Sequence, residues 1–192
     1  MRRSMSALEG IATALGILCV GLGVARSVWT FPTAIGSVLL VGVVVLRQRL
    51  YSDALLQLFF AAANLYGWWN WARARAETGA VAVASLSAGE RGGWLLAIGA
   101  AALIWGAGMR YGTDAAYPWW DAVIAAASVA AQLMLGRRAW ENWVLWIAVD
   151  LLAIPLYLAK GLWMLAGLYA VYLLLSAWGL RDWTRALRRG RA

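Results

Sequence analysis

The sequence has no histidine and only one cysteine, Cys19, among its 192 residues. Because a disulfide needs two cysteines, the chain cannot form one internally, and a zinc site built from cysteine and histidine is excluded as well. Catalysis by a histidine acid or base is excluded by the same composition. These absences argue against an enzyme, and neither a resident metal nor a cofactor is expected.

Charged residues are also scarce, at 14% of the chain, whereas hydrophobic residues reach 64%. An ordinary soluble domain has about 25% charged and roughly 45–50% apolar residues. A soluble chain of this length could not cover so much apolar surface, so the composition predicts a membrane protein surrounded by lipid. The net charge of +8 is interpreted as a topology signal. No nucleic-acid partner is expected, because no basic face interleaves with exposed aromatic residues.

Seven apolar runs predict an all-α membrane protein with seven transmembrane helices. The runs are 7–25, 31–46, 50–71, 94–109, 117–136, 140–159 and 162–180. The fourth run, which follows a polar break at 72–93, is short against the ~20 residues that cross a bilayer. The first run also has the outline of a signal peptide cleaved after Ala25. That alternative is less favoured, because an internal repeat includes this helix.

The internal repeat is the strongest organisational signal in the chain. At an offset of 112 residues, Tyr-Gly-x-x-Asn-Trp-x-Arg-Ala at 66–74 lies on Trp-Gly-x-x-Asp-Trp-x-Arg-Ala at 178–186. The first three helices are therefore predicted to recur as the last three, in a 3+1+3 parallel repeat with the fourth helix as linker. The predicted divisions are 7–71 for the first three-helix repeat, 72–116 for a cytoplasmic loop and linker helix, 117–183 for the second repeat and 184–192 for a basic cytoplasmic tail.

The basic residues predict the orientation in the membrane. Over alternate loops, six lysines and arginines fall on one side and eleven on the other, and the larger group includes the arginines of the tail. By the positive-inside rule, the C-terminus should be cytoplasmic and the N-terminus outside. The tail is interpreted as an anchor on anionic membrane lipid.

The sixth run carries an acid, two indoles and a phenol on one face. With Trp143 at zero, helical geometry places Trp146 at about −60°, Asp150 at about −20° and Tyr157 at about −40°. This face is typical of an aromatic pocket wall with one negative charge. An ionisable group at membrane depth costs about 2.5–3.5 kcal/mol on insertion scales, and such a residue is a functional candidate by default.

The internal repeat indicates that Asp150 has a role beyond folding. Asp150 lies on Val38 under the offset, so the first repeat has no copy of it. This asymmetry favours ligand binding, and the alternative is a buried acid that pairs with Lys160 or Asn64. Pro155 should also kink the helix, because proline cannot donate a backbone hydrogen bond.

Two further runs carry polar stripes. In the third run the stripe is Gln57, Phe60, Asn64 and Trp68, and in the last run it is Tyr169, Tyr172 and Ser176. Buried side-chain amides need hydrogen-bond partners, and the hydroxyls of a sugar are suitable ones. Each residue taken alone fits helix-to-helix packing at least as well, since small and polar residues hold membrane bundles together.

A flat organic cation fits this set of residues. Cation–π contact is worth about 2 kcal/mol or more when desolvated, and Asp150 supplies the counter-charge. The residues alone predict a transporter or receptor for a small aromatic molecule. A membrane-embedded enzyme and a purely structural protein are the rival classes. Only one acid lies clearly in mid-span, and this favours passive transport over a proton-driven mechanism.

Three motifs carry a family resemblance. They are Asn-Leu-Tyr-Gly-Trp-Trp-Asn-Trp at 64–71, Trp-x-x-Trp-x-x-x-Asp at 143–150 and Ile-Pro-Leu-Tyr-Leu-Ala-Lys-Gly at 154–161. Together they resemble the PnuC family of bacterial nicotinamide riboside transporters, over residues 31–187. The resemblance implies uptake of this NAD precursor by facilitated diffusion with alternating access, followed by trapping by an intracellular kinase. It also implies a homotrimer in the inner membrane, distantly related to the SWEET sugar carriers.

The resemblance further implies the substrate site and leaves the substrate open among related vitamins. It places Trp143, Trp146 and Asp150 in the site, with Gln57 and Asn64 as companions. The candidate substrate-binding residues are therefore Trp143, Trp146, Asp150, Gln57, Asn64, Tyr157, Trp68 and Tyr169. Related transporters share much of the pattern, so thiamine is the first alternative and riboflavin the second. The preference for a cation favours nicotinamide riboside or thiamine over neutral riboflavin.

Overall fold

The computed structural model describes residues 2–47 and 51–190. Seven helices occupy these residues: α1 Arg2–Val24, α2 Thr30–Arg47, α3 Tyr51–Thr78, α4 Ala88–Gly112, α5 Pro118–Gly136, α6 Glu141–Ala159 and α7 Trp163–Arg189. An isolated β-bridge joins Ala84 to Ala139. The predicted all-helical fold is confirmed, and α7 continues beyond the last apolar run into the basic tail.

Within the described residues, four helices are long and apolar enough to cross a membrane, namely α4, α5, α6 and α7. The first two helices contribute shorter apolar stretches, Gly10–Val24 and Thr30–Val44. These helices establish a multi-pass membrane protein. Membrane crossing by α1, α2 and α3 stays a prediction.

The polar break between α3 and α4 is shorter than the predicted 72–93. α3 continues to Thr78, and in this extension Arg73 and Glu77, one helical turn apart, form an exposed ion pair of 2.8 Å that favours the helix. α4 begins early because Ser87 and Glu90 form a capping box, in which each side chain bonds the other residue's backbone N–H. α4 therefore has 25 residues, enough to cross a bilayer, and it extends beyond the short apolar run 94–109 at both ends.

The chain divides into two compact units. Unit 1 comprises Met1–Ala82 and Gly136–Arg138, and unit 2 comprises Val83–Leu135 and Ala139–Ala192. In unit 1, α2 packs against both α1 and α3. In unit 2, α6 packs against α7, the pairing that positions the predicted acid-bearing face.

The turns before α2 and α6 have the same backbone geometry. Each has an arginine in the left-handed region, Arg26 with φ 55° and Arg138 with φ 63°. The next residue in each turn donates to a carbonyl near the end of the preceding helix, from Ser27 N to Leu22 O (2.9 Å) and from Ala139 N to Met134 O (3.0 Å). This is a helix C-terminal motif that usually contains glycine. Its use of arginine at both positions is uncommon.

An aromatic contact joins α2 to α3 in unit 1. The ring of Phe31 meets Trp71 edge-on, with centroids 5.0 Å apart and an angle of 89° between the planes. Phe31 can lie this close to α3 because Gly67 has no side chain, and a Cβ at that position would overlap the ring. Asn70, on the same segment of α3, donates to the carbonyl of Gly136 at 2.7 Å. These contacts fix the end of α3 that carries its arginines.

Candidate functional site

The predicted face of α6 meets α7 in three layers spaced seven residues apart. The layers are Trp143 with Trp183, Asp150 with Ser176, and Tyr157 with Tyr169. Seven residues are almost two turns of an α-helix, so each helix keeps one face toward the other. The shared face expected from helical spacing is therefore present, and its partner is the polar stripe of α7.

The first layer is an interlocked pair of indoles. Trp143 and Trp183 meet edge-on, with centroids 5.6 Å apart, and both rings are buried. Trp143 also lies directly on Gly179, where a Cβ would be 2.5 Å from two atoms of the ring. The indole Nε1 of Trp143 is buried and has no hydrogen-bond partner among the described residues. This layer closes one end of the α6 face and holds α6 against α7.

The central layer contains the acid. Asp150 is 2% exposed, so it does not face lipid, and its Oδ2 accepts a hydrogen bond of 3.2 Å from the hydroxyl of Ser176. Lys160, considered above as a partner for Asp150, instead donates to both oxygens of Asp121 at 2.9 Å. In the described part of the chain, no basic side chain forms an ion pair with Asp150. The carboxyl group is thus buried beside a neutral hydroxyl.

The third layer is aromatic. Tyr157 lies 5.0 Å from Tyr169 between ring centroids, and Tyr169 lies 5.7 Å from Tyr172. Trp146, Tyr157 and Tyr169 all pack against one buried cluster, formed by Ile124, Ala127, Val149, Ala153 and Leu156. The structure therefore brings Trp146, Tyr157 and Tyr169 together around the segment of α6 that contains Asp150.

A tryptophan of α5 bonds the backbone of α6 close to Pro155. α6 is one continuous helix through this proline. The indole of Trp120 donates to the carbonyl of Leu152 at 3.0 Å. This contact is not predicted by the sequence pattern, because Trp120 stands at a helix start, where tryptophan is common at a membrane interface. Trp120 joins the residues that position the acid-bearing segment.

Glu141 is a second residue that helical spacing does not reveal. Its Oε1 accepts hydrogen bonds from Leu86 N (3.0 Å) and from Arg91 Nη2 (2.8 Å). The backbone N–H of Trp140 in turn donates to the carbonyl of Ala84 at 3.1 Å. These bonds attach the segment between α3 and α4 to the start of α6. The only sequence signal for this role is a glutamate in the first turn of a helix, where negative charge is favourable.

The remaining candidates lie in unit 1. Asn64 is buried and its Nδ2 donates to the carbonyl of Phe60 at 2.8 Å, while Gln57 is partly buried. Trp68 is 39% exposed and lines a cleft with Trp29, nearer the end of α3. The structure thus places five candidates on or around the α6 and α7 layers of unit 2. Gln57, Asn64 and Trp68 belong to the third helix of unit 1.

Comparisons with known proteins show that this chain is similar to transporters. Residues 6–185 match the family described as nicotinamide mononucleotide transporter. The nicotinamide riboside transporter PnuC of Escherichia coli (strain K12) is 25% identical, with 96% of this chain and 87% of that protein covered. The riboflavin/roseoflavin transporter RibM of Streptomyces davaonensis is 33% identical, covering 93% and 85%. A crystal structure of the vitamin B3 transporter PnuC is similar, with a TM-score of 0.77 and 26% identity, covering 96% and 83%.

Proposed function

Since the chain belongs to the nicotinamide mononucleotide transporter family, we propose that it carries nicotinamide riboside across the inner membrane. The protein is a membrane transporter and not an enzyme. The observation that carries the choice of substrate is Asp150, a buried carboxyl group whose hydrogen-bond partner is the neutral Ser176. Nicotinamide riboside is a pyridinium cation, and it supplies the positive charge that this position lacks.

The aromatic residues around Asp150 are proposed to hold the pyridinium ring. Trp146, Tyr157 and Tyr169 surround the same buried cluster, and a desolvated cation gains about 2 kcal/mol or more from an aromatic face. Ser176 orients the carboxyl group, so we add it to the candidate residues. Trp143 supports the site through its contact with Trp183.

Gln57 and Asn64 of unit 1 stay sequence-based candidates for the substrate because of their side-chain amides. Gln57 and Asn64 carry both donors and acceptors, as ribose hydroxyls require. Under the 112-residue offset, Gln57 corresponds to Tyr169 and Asn64 to Ser176. The polar positions proposed for the substrate therefore coincide in the third helix of each repeat. Trp68 is more exposed and is left outside this core set.

Riboflavin is the second candidate substrate. It is favoured by the 33% identity to the riboflavin/roseoflavin transporter RibM. The isoalloxazine ring of riboflavin is flat but uncharged, so it gives a buried carboxylate no counter-ion. Asp150 therefore favours a cation, either nicotinamide riboside or, as a further alternative, thiamine.

We also propose that the two three-helix segments 7–71 and 117–183 are copies in a 3+1+3 arrangement. Equivalent positions under the offset support this. The turn arginines Arg26 and Arg138 correspond, and so do the hydrogen bonds that follow them. The edge-on aromatic pairs, each lying on a glycine, also correspond: Phe31, Trp71 and Gly67 with Trp143, Trp183 and Gly179.

Topology and assembly complete the proposal. The basic tail 184–192 and the loop before α4 are assigned to the cytoplasm by the positive-inside rule. Three copies are proposed to associate, and the exposed apolar residues of α4, such as Leu96 and Ile104, are available for subunits or lipid. Labelling of an Arg188→Cys variant from the outside would contradict the orientation, and a monomer mass from light scattering would contradict the trimer.

Uptake by sealed liposomes tests the function and its energetics together. Purified protein is expected to give saturable entry of labelled nicotinamide riboside, which stops when the internal and external concentrations are equal. The same end point is expected under an imposed pH gradient, because proton-driven carriers rely on several intramembrane acids or histidines. Accumulation above the external concentration would refute passive transport, and absence of entry would refute the proposed substrate.

A further inference from the structure

A cleft of about 440 Å³ opens in unit 1 beside the α1–α2 turn and the last turns of α3. Its lining includes Trp29, Pro32, Trp68, Ala72 and Arg75. The volume is within the range of about 300–1,000 Å³ that is usual for ligand pockets. All of these residues belong to unit 1, and none of them belongs to the α6 and α7 layers described above.

Arg75 supplies the positive charge of this cleft, and its guanidinium group is available to a ligand. Across residues 2–47 and 51–190, no acidic side chain forms an ion pair with it. Arg73, two residues earlier, is paired with Glu77 at 2.8 Å and does not line the cleft. Two residues along a helix are about 200° apart, so the two arginines point in different directions. Arg75 is therefore free to bind an anion.

The tryptophans indicate the depth of the cleft. Trp29 is 67% exposed and Trp68 39% exposed. Exposed tryptophan in a membrane protein is enriched at the level of the lipid headgroups. Under the proposed orientation this end of α3 is cytoplasmic, and cytoplasmic leaflets carry the anionic lipids that attract arginine near the membrane.

We propose that this cleft binds one anionic phospholipid, with Arg75 contacting the headgroup phosphate. Trp29 and Trp68 then lie beside the glycerol and ester groups, and the apolar residues Pro32 and Ala72 contact the start of an acyl chain. A soluble phosphate compound would share the contact with Arg75 but would leave the apolar lining unused. The proposal does not depend on which vitamin is carried, although it does use the proposed orientation.

Native mass spectrometry of the full-length protein, delipidated and then titrated with phosphatidylglycerol, tests this site. Arg75→Gln is expected to weaken phosphatidylglycerol binding about tenfold, as loss of one charge-assisted hydrogen bond predicts. Arg73→Gln is the matched control, because that arginine is already paired with Glu77, and it should bind like the wild type. Ala76→Trp, which fills the cleft and keeps Arg75, should also abolish the bound lipid.

Four results would overturn the proposal. Equal retention of phosphatidylglycerol by the wild type and the Arg75→Gln variant would show that Arg75 does not contribute to lipid binding. Equal binding of neutral phosphatidylcholine by the wild type would show that charge is not recognised. Displacement of the lipid by inorganic phosphate alone would show a soluble anion site. If Ala76→Trp changes the oligomer mass and leaves lipid binding intact, the cleft is covered by a second copy of the chain.

Discussion

Asp150→Leu is expected to fold but to bind nicotinamide riboside about 100-fold more weakly than the wild type. Truncating one partner of a buried charge pair costs about 2–5 kcal/mol, and 2.7 kcal/mol is about 100-fold in affinity. Folding should survive because leucine has the same branched four-atom side-chain skeleton as aspartate and the neighbours of Asp150 on α6 include the buried Val149 and Ala153. Isothermal titration calorimetry on the purified variant measures the loss.

The Asp150→Asn variant tests the negative charge of this side chain independently of its shape. Asparagine keeps an acceptor for the Ser176 hydroxyl but removes the negative charge. The reduced form of nicotinamide riboside is neutral and has the same ribose, so it provides the matching ligand. The wild type should prefer the oxidised, cationic form, and the Asn variant should lose that preference.

Asp121→Asn is the control for the acid, since Asp121 is paired with Lys160 at 2.9 Å and lies outside the three layers. Its affinity for nicotinamide riboside should match that of the wild type. If the Asp150→Leu variant is folded and still binds nicotinamide riboside like the wild type, Asp150 is not part of the substrate site. An equal loss in Asp121→Asn would show that acids of unit 2 act on the fold and not on the ligand.

Gly179→Ala is expected to destabilise the protein by about 2 kcal/mol, the middle of the range for overpacked interiors. The added Cβ would lie 2.5 Å from the ring of Trp143, which is buried against Trp183 and cannot move aside freely. For a chain of this size the melting temperature should fall by about 4–8 °C. Thermal unfolding followed by tryptophan fluorescence in detergent gives this value.

Gly167→Ala is the matched control on the same helix. No atom of the residues that the structure describes lies within 4 Å of a Cβ built there, so alanine should raise the stability slightly through its higher helix propensity, by up to about 1 kcal/mol. If both variants unfold at the same temperature, the contact between Trp143 and Gly179 does not hold α6 against α7. The support assigned to Trp143 would then be wrong.

Much of the fold could be predicted from one sequence because apolar runs and helical spacing are local properties. The error at 72–93 arose where charged residues were interpreted as loop. Arg73 and Glu77 in fact pair along the helix, and Glu90 caps α4. Charge alone does not show whether a residue lies in a loop at the end of a helix or on the exposed face of that helix.

The candidate site could be predicted only in part. Helical spacing placed Trp143, Asp150 and Tyr157 on one face, and the structure shows that this face meets α7. The pairing of Asp150 with Ser176 depends on the register between two helices, which the spacing within one helix does not contain. Glu141 was missed for the same reason, since its partners lie about fifty residues earlier in the chain.

The most direct test of the central claim is a parallel binding titration of the purified wild-type protein with nicotinamide riboside, thiamine and riboflavin. Nicotinamide riboside should bind most tightly, and riboflavin, which offers no positive charge to Asp150, should bind most weakly. Tight binding of riboflavin with no measurable binding of nicotinamide riboside would contradict the central claim, and would assign the chain the substrate of its Streptomyces relative.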